Sequence, residues 1–193
     1  TLPSHLALFT GEPAHVHAVE QSYHRLGAGL ATLTQALKAE GYATAGFYSG
    51  PFLEPSFGFA RGFDRYEACY GVELAQASAR AADLAARKDA AIASGDRQAL
   101  AQVLQEHERA KRELQRLSHH DVSSARVTDA VLGELERRAA GDEPFFVFAH
   151  FFDPHYDYEP PEPHDRYDPD YDGGCYASNY ACNQAVAVPP EVP

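Results

Sequence analysis

The first eleven residues, "TLPSHLALFTG", place apolar side chains where a short helix would present them on one face. Pro3 stands in the first turn, which tolerates proline, and Gly11 suits a C-terminal cap. The apolar face consists of Leu6, Leu8 and Phe9. The pattern predicts a short helix with Thr1 at or just before its N-terminus.

Residues 29–66 have the pattern of a helix followed by a strand. Apolar residues recur at helical spacing up to Gly41, at Leu30, Leu33 and Leu37. "ATAGFYS" then predicts a short buried strand. The stretch "GPFLEPSFGFARGFDRY" is rich in glycine, proline and aromatic residues, and it predicts an irregular loop.

Residues 72–118 are dominated by alanine, leucine and long polar residues that favour helices. A turn is expected at Ser94–Asp96, and the apolar stripe consists of Leu100, Val103, Leu104, Leu114 and Leu117. We predict a helical hairpin inserted into the main fold. Its charged face is expected to be solvated, with a partner-binding surface as the alternative.

The stretch "SSARVTDAVLGELERRAAG" predicts a further helix, capped by Ser123 or Ser124 and ended by Gly141. Its inward positions are Val127, Val131 and Leu135. "PFFVFAHFF" follows as a continuous apolar run, which is typical of a strand buried on both faces. Two helix–strand units predict a layered α/β fold with a mainly parallel sheet flanked by helices. Loop is expected from residue 153 onward.

Composition and charge exclude several classes of structure and partner. Its 193 residues are 45% apolar, which argues against global disorder, and the net charge of −12 argues against nucleic acid or an anionic membrane. No apolar run approaches the roughly 20 residues that span a bilayer. Three cysteines are too few, and odd in number, for a disulfide scaffold. Because the chain has no methionine, we interpret it as a fragment.

Candidate chemistry lies at two places. Ligands of parallel sheets gather beyond the carboxyl ends of the strands, where Asp153 and His155 follow the apolar run. His155 could act as a donor, acid or base, or it could be an ordinary surface histidine. Thr1 at a helix N-terminus suits an anion site, with a plain capping threonine as the alternative. The histidine spacings do not indicate a dedicated zinc site.

Three segments, in order, resemble the sulfatase family of the alkaline phosphatase superfamily. "TLPSHLALFTGEPAHVHAV" is similar to the family signature of Cys or Ser, any residue, Pro, Ser and a basic residue before an apolar helix ending in Thr-Gly. "LATLTQALKAEGYATAGFYSGPFL" and the following "FGFARGFDRYE" resemble the next stretch. "FFVFAHFFDPHYDYEPPEP" resembles the strand and Asp-Pro-His loop of the family.

The resemblance implies roles for four residues. Thr1 takes the place of the metal-bound nucleophile, and His5 takes that of the basic residue that supports it. His155 corresponds to a ligand of the anionic group of the substrate, and His17 to the histidine of a His-Gly-Val turn with a substrate-binding role. Ala18 replaces the glycine of that turn. The resemblance also implies a divalent metal ion, usually calcium, with acidic ligands outside this chain.

Two departures from the family bear on the reaction. A threonine cannot be oxidised to the formylglycine aldehyde, because it carries a methyl group on Cβ. Thr1 would therefore attack as a plain hydroxyl, which makes phosphate or phosphonate esters at least as suitable as sulfate esters. "FYSGPFL" stands where many sulfatases carry a substrate-binding lysine.

The resemblance divides the chain into two catalytic-domain parts, a hairpin and a tail. The catalytic-domain parts are residues 1–71 and 119–173. The hairpin covers residues 72–118, and the divergent tail covers residues 174–193. We expect a hydrolase of small-molecule, glycan or lipid esters, periplasmic or extracellular as the family suggests, with this fragment inactive alone. The alternative is a non-catalytic relative that binds a protein through the hairpin.

Overall fold

In a computed structural model, which describes residues 1–21 and 24–153, three parallel strands form one sheet. The strands are β1 (Ala43–Tyr48), β2 (Arg65–Ala68) and β3 (Phe145–His150), with β1 in the centre. The helices of the described residues are α1 (Leu2–Thr10), α2 (Ala14–His17), α3 (Leu33–Ala39), α4 (Val72–Ser94), α5 (Arg97–His120) and α6 (Ser124–Arg138). The predicted α/β fold, a parallel sheet flanked by helices, is confirmed.

Helix α1 begins and ends where the sequence predicts. Thr1 is its N-cap residue, and Gly11 closes it in the left-handed conformation at φ 70°. Leu6 and Phe9 are buried against the sheet, where they join the main core cluster. The prediction for Leu8 is wrong, since this side chain remains 64% exposed on the opposite side of the helix.

Helix α3 begins three residues later than the leucine spacing suggests. Thr32 and Gln35 form a capping box, in which each side chain bonds the backbone N–H of the other. The cap fixes Leu33 as the first helical residue and leaves Leu30 outside the helix. Local capping therefore overrides the apolar repeat as the start signal.

The sheet differs from the prediction at both edges. The expected loop contains the start of β2, whose Tyr66 ring stacks on that of Tyr48 at 4.7 Å. The four residues "RYEA" alternate polar and apolar side chains, but the glycine-rich and proline-rich stretch before them predicted a loop, and so short a run did not indicate a strand. The prediction that β3 is buried on both faces is also wrong, because none of its residues is fully buried. Within the described residues β3 is an edge strand, with β1 as its only neighbouring strand. Of the three strands described, the central strand β1 is the one in which every residue is buried.

Helices α4 and α5 pack against each other as a pair. Gly95, at φ 71°, and Asp96, which caps α5 by accepting from the N–H groups of Gln98 and Ala99, form the expected turn. The contact between the helices is built from Ala81, Leu84, Val103 and Ala110. Leu104 is 42% exposed and does not belong to the stripe. The division of the chain into domains stays a prediction.

The N-terminus of α6 is capped by a residue that is distant in sequence and lies just beyond the end of β3. Ser123 occupies the N-cap position, but no serine side chain caps the helix. The carboxylate of Asp153, just after β3, accepts from the backbone N–H groups of Ser123 and Ser124 at 2.8 and 2.7 Å. The helix ends at Arg138 rather than at Gly141, and of its predicted inward positions Leu135 is 37% exposed.

Two composition-based expectations concern membranes and thiols. None of the helices in the described ranges is both long and apolar enough to cross a membrane. Cys69 is buried as a free thiol, and burial raises its pKa. Cys175 and Cys182 lie outside the described residues.

Candidate active site at the N-terminus of the first helix

Aromatic contacts place the N-terminus of α1 at the carboxyl end of β3. Alternate residues of β3 lie on one face of the sheet, and residues four apart lie on one face of α1. The rings of Phe9 and Phe148 meet edge to face at 5.0 Å, and those of His5 and His150 meet at the same distance. Because His150 ends β3 and His5 lies in the first turn of α1, the helix start lies over the carboxyl edge of the sheet.

The Thr1 backbone is held in place, whereas its hydroxyl is not used as a cap. The Thr1 carbonyl lies 3.0 Å from the backbone N of His5, 2.8 Å from Ser4 Oγ and 2.9 Å from His5 Nδ1. The Thr1 side chain makes no capping hydrogen bond, and the residue is exposed. The hydroxyl is thus available to a ligand at the positive end of the helix dipole. Thr1 is therefore not an ordinary capping threonine, and its role as nucleophile stays a prediction.

The hydrogen bond of His5 also fixes the state of its ring. A carbonyl oxygen only accepts, so His5 Nδ1 carries the proton that it donates to Thr1. In the neutral ring, Nε2 is then the nitrogen with the lone pair. His5 therefore joins Thr1 to the aromatic layer on β3, and its supporting role in catalysis stays a prediction.

His150 is a member of this site that the sequence analysis did not single out. Its Nδ1 donates to the Ser49 carbonyl at 2.8 Å, which leaves Nε2 as the accepting nitrogen of the neutral ring. The buried Ser49 hydroxyl donates to the His150 carbonyl at 3.2 Å and accepts from the Phe152 N–H at 2.9 Å. These hydrogen bonds therefore connect the carboxyl ends of β1 and β3. One signal was present in the sequence, because His150 is the first polar residue after an apolar run.

His17 is buried beneath the start of α1. The ring is 2% exposed, Nε2 lies 3.1 Å from the Pro3 carbonyl, and Nδ1 accepts from the Val19 N–H at 3.1 Å. Both ring nitrogens are therefore engaged within the chain. This arrangement gives His17 a positioning role toward the first turn of α1, and its binding of substrate stays a prediction.

The turn after His17 has a left-handed backbone conformation, which favours glycine, the residue of the family pattern at this position. Ala18 has φ 58°, and it is the one non-glycine residue in the described ranges with a left-handed backbone. An alanine side chain strains this conformation, because Cβ approaches the following carbonyl oxygen. The substitution of glycine by alanine therefore leaves the turn intact at a cost in stability.

The remaining predicted site residues are not gathered around Thr1. His155 lies outside the described residues. Asp153, which the sequence places at the carboxyl end of β3, caps α6. No group of three or more histidine, cysteine, aspartate or glutamate side chains suited to a metal ion occurs among residues 1–21 and 24–153. The described residues do not supply a ligand set for the divalent metal ion that the family typically binds, and Thr1 as a ligand of that ion stays a prediction.

Comparison with known proteins supports the resemblance. A protein-family model described as Sulfatase matches residues 1–185, which is nearly the whole chain. No curated protein and no solved structure gives a significant match. The chain therefore belongs to the sulfatase family of hydrolases, with the α/β architecture of the alkaline phosphatase superfamily.

Proposed function

We propose that the intact protein hydrolyses sulfate, phosphate or phosphonate esters with the Thr1 hydroxyl as nucleophile. The observation that carries this proposal is the uncapped Thr1 side chain at a helix N-terminus over the carboxyl edge of the sheet. First-turn N–H groups and the helix dipole stabilise a tetrahedral anion at such a position. Family membership supports the reaction class, hydrolysis of an ester of an inorganic acid.

The proposed reaction has two displacements at the same phosphorus or sulfur atom. Thr1 Oγ forms a bond to that atom, loses its proton to a base, and the bond to the alkoxide leaving group breaks. The alkoxide takes up a proton and departs as the alcohol. Water then attacks the central atom, because a threonine ester cannot collapse to a carbonyl. A proton of the water passes to the departing threonine oxygen, and the sulfate, phosphate, phosphomonoester or phosphonate anion is released.

Three histidines and a metal ion assist Thr1 in the proposed reaction. His5 is a positioning residue that holds the Thr1 backbone through its carbonyl. His155 binds an oxygen of the anionic group, as its place in the Asp-Pro-His motif implies. His17 supports the first turn of α1 from below. A divalent metal ion, calcium by analogy with the family, supplies charge stabilisation when bound, with Thr1 as one ligand and the others from acidic residues of the intact protein.

The test is turnover of aryl sulfate, phosphodiester and phosphonate reporters by the intact protein loaded with calcium or another divalent ion. Thr1→Ala should lower kcat by on the order of 10³-fold or more, because the nucleophile is lost. Thr1→Ser retains a hydroxyl and is the matched control, so it should keep substantial activity. Turnover that survives Thr1→Ala, or no metal-dependent turnover on any reporter, would contradict the proposed mechanism.

A further inference from the structure

A cavity of about 570 Å³ lies between the α4–α5 pair and the segment that follows β1. One wall is formed by Pro51, Phe52, Pro55 and Phe57, and the other by small residues of α4 such as Ala82 and Ala85. Cavities of 300–1,000 Å³ with mostly apolar walls and a few polar groups are typical of small-molecule sites. Alanines on α4 leave the space that larger side chains would fill, so the cavity is a consequence of this helix sequence.

The acidic groups of the cavity are already paired. Asp89 pairs with Arg25 at 3.3 Å, and Glu108 pairs with Lys111 at 3.4 Å. The third acid, Glu54, accepts hydrogen bonds from the hydroxyls of Ser78 at 2.6 Å, Tyr70 at 2.8 Å and Tyr48 at 3.3 Å. The negative charges that line the cavity are therefore neutralised or hydrogen-bonded within the chain.

Two cations of the cavity have no such partner. Lys88 on α4 and Arg112 on α5 line it and form no ion pair within the described residues. Burial and the neighbouring charges of Lys88 and Lys111 lower the pKa of His107, so this ring resists a further positive charge. The lining has four cations, with Arg25 and Lys111 besides these two, against three carboxylates, so it carries a net positive charge. In a chain of net charge −12, this lining attracts an anion locally, although the protein as a whole repels one.

The cavity adjoins the same edge of the sheet as the candidate active site. Pro51 is two residues beyond Ser49, which is bonded to His150. The Tyr70 hydroxyl, within hydrogen-bond distance of both the Gly50 carbonyl and Glu54 at 2.8 Å, ties this segment to the cavity wall. The hairpin therefore borders a solvent-open cavity beside the carboxyl end of β1.

We propose that the cavity between α4, α5 and residues 51–57 binds a small aromatic anion, with the ring against Phe52, Phe57 and the alanines of α4 and the anionic group at Lys88 and Arg112. This proposal goes beyond the hydrolase proposal, since it assigns a ligand site to the hairpin and requires no turnover. Phe52 is 36% exposed, and a ligand that covers its ring removes apolar surface from water. The two cations give the selectivity, because apolar contact alone does not distinguish an anion from a neutral ring.

The experiment is calorimetric titration of the full chain with naphthalene-2-sulfonate, compared with the neutral 2-naphthylmethanol. We expect saturable one-to-one binding of the sulfonate, and at least tenfold weaker binding of the alcohol. Ala85→Phe fills the cavity and should weaken binding at least tenfold, whereas Ala86→Phe, at an exposed neighbouring position, should leave it unchanged.

A second pair of variants tests the charge independently of packing. Arg112→Gln should weaken sulfonate binding roughly two- to fivefold, as for a partly exposed ion pair. Arg97→Gln, at the start of the same helix and outside the cavity, should have no effect. Equal affinity for the alcohol, no saturable binding, or insensitivity to both Ala85→Phe and Arg112→Gln would overturn the proposal. If Ala85→Phe fails to fold, judged by circular dichroism, the arginine pair and the alcohol still decide the question.

Discussion

Glu134→Gln removes a buried negative charge from α6 while keeping the size and shape of the side chain. Glu134 is 0% exposed, yet three arginines surround its carboxylate. Arg138 Nε donates to one oxygen at 2.8 Å, Arg65 Nη1 lies 3.3 Å from the other, and Arg137 pairs with that same oxygen. The carboxylate therefore joins α6 to β2 through Arg65.

The size of the expected stability loss depends on how exposed the three arginine side chains are. Removing one member of a buried ion pair typically costs about 3–5 kcal/mol, because the remaining charge is left uncompensated. Here the arginine side chains are 25–53% exposed and can regain water, and glutamine still accepts a hydrogen bond from Arg138. We therefore expect a loss of about 2 kcal/mol in the free energy of unfolding at pH 7. That loss corresponds to a decrease of roughly 4–8 °C in Tm for a chain of this size.

The pH dependence of this stability difference shows whether the lost charge is its cause. Burial alone would raise the pKa of Glu134, but the hydrogen bonds from Arg138 and Arg65 and the charge of Arg137 lower it below its ordinary value. A lowered folded-state pKa stabilises the protein above the ordinary glutamate pKa of about 4.3, and this stabilisation is lost as the pH falls through the folded value. The difference between wild type and Glu134→Gln should thus be constant near neutral pH and shrink below about pH 4.3.

The assay is urea unfolding of both proteins, followed by circular dichroism between pH 3 and pH 7. Glu136→Gln, an exposed glutamate on the same helix, is the control and should match wild type at every pH. A loss for Glu134→Gln that does not change with pH would refute the charge argument and would indicate a packing defect instead. No loss at pH 7 would show that the arginines are equally well accommodated by water.

Two further substitutions test local features of the chain. Ala18→Gly should raise the free energy of unfolding by about 0.5–1 kcal/mol, because the relief of left-handed strain exceeds the added unfolded-state entropy of glycine. The control Ala14→Gly, within α2, should lower it by a similar amount. Equal effects of the two substitutions in thermal unfolding would contradict this prediction. Asp153→Ala should cost about 1–2 kcal/mol by removing the cap of α6, while Asp142→Ala, at an exposed position, should cost nothing measurable by the same method.

The sequence predicted those features that depend on near neighbours in the chain. Helix α1 has its proline, apolar face and terminal glycine within eleven residues, and the central strand β1 is a short apolar run. The turn between α4 and α5 likewise depends on Gly95 and Asp96 alone. Thr1 and His5 were found together because they occupy one helical turn, where a carbonyl and the side chain four residues later meet.

Tertiary structure decided the contacts between residues far apart in sequence. His150 joins the site only because α1 lies across β3 with His5 over the strand end, 145 positions earlier in the chain. Asp153 replaces a local serine as the cap of α6, since its carboxylate reaches two helix N–H groups from the end of β3. Burial also depends on neighbours, so the apolar β3 is half-exposed while β1, paired on both sides, is fully buried. Apolar spacing and capping act within a few residues, whereas these outcomes depend on which segments pack side by side.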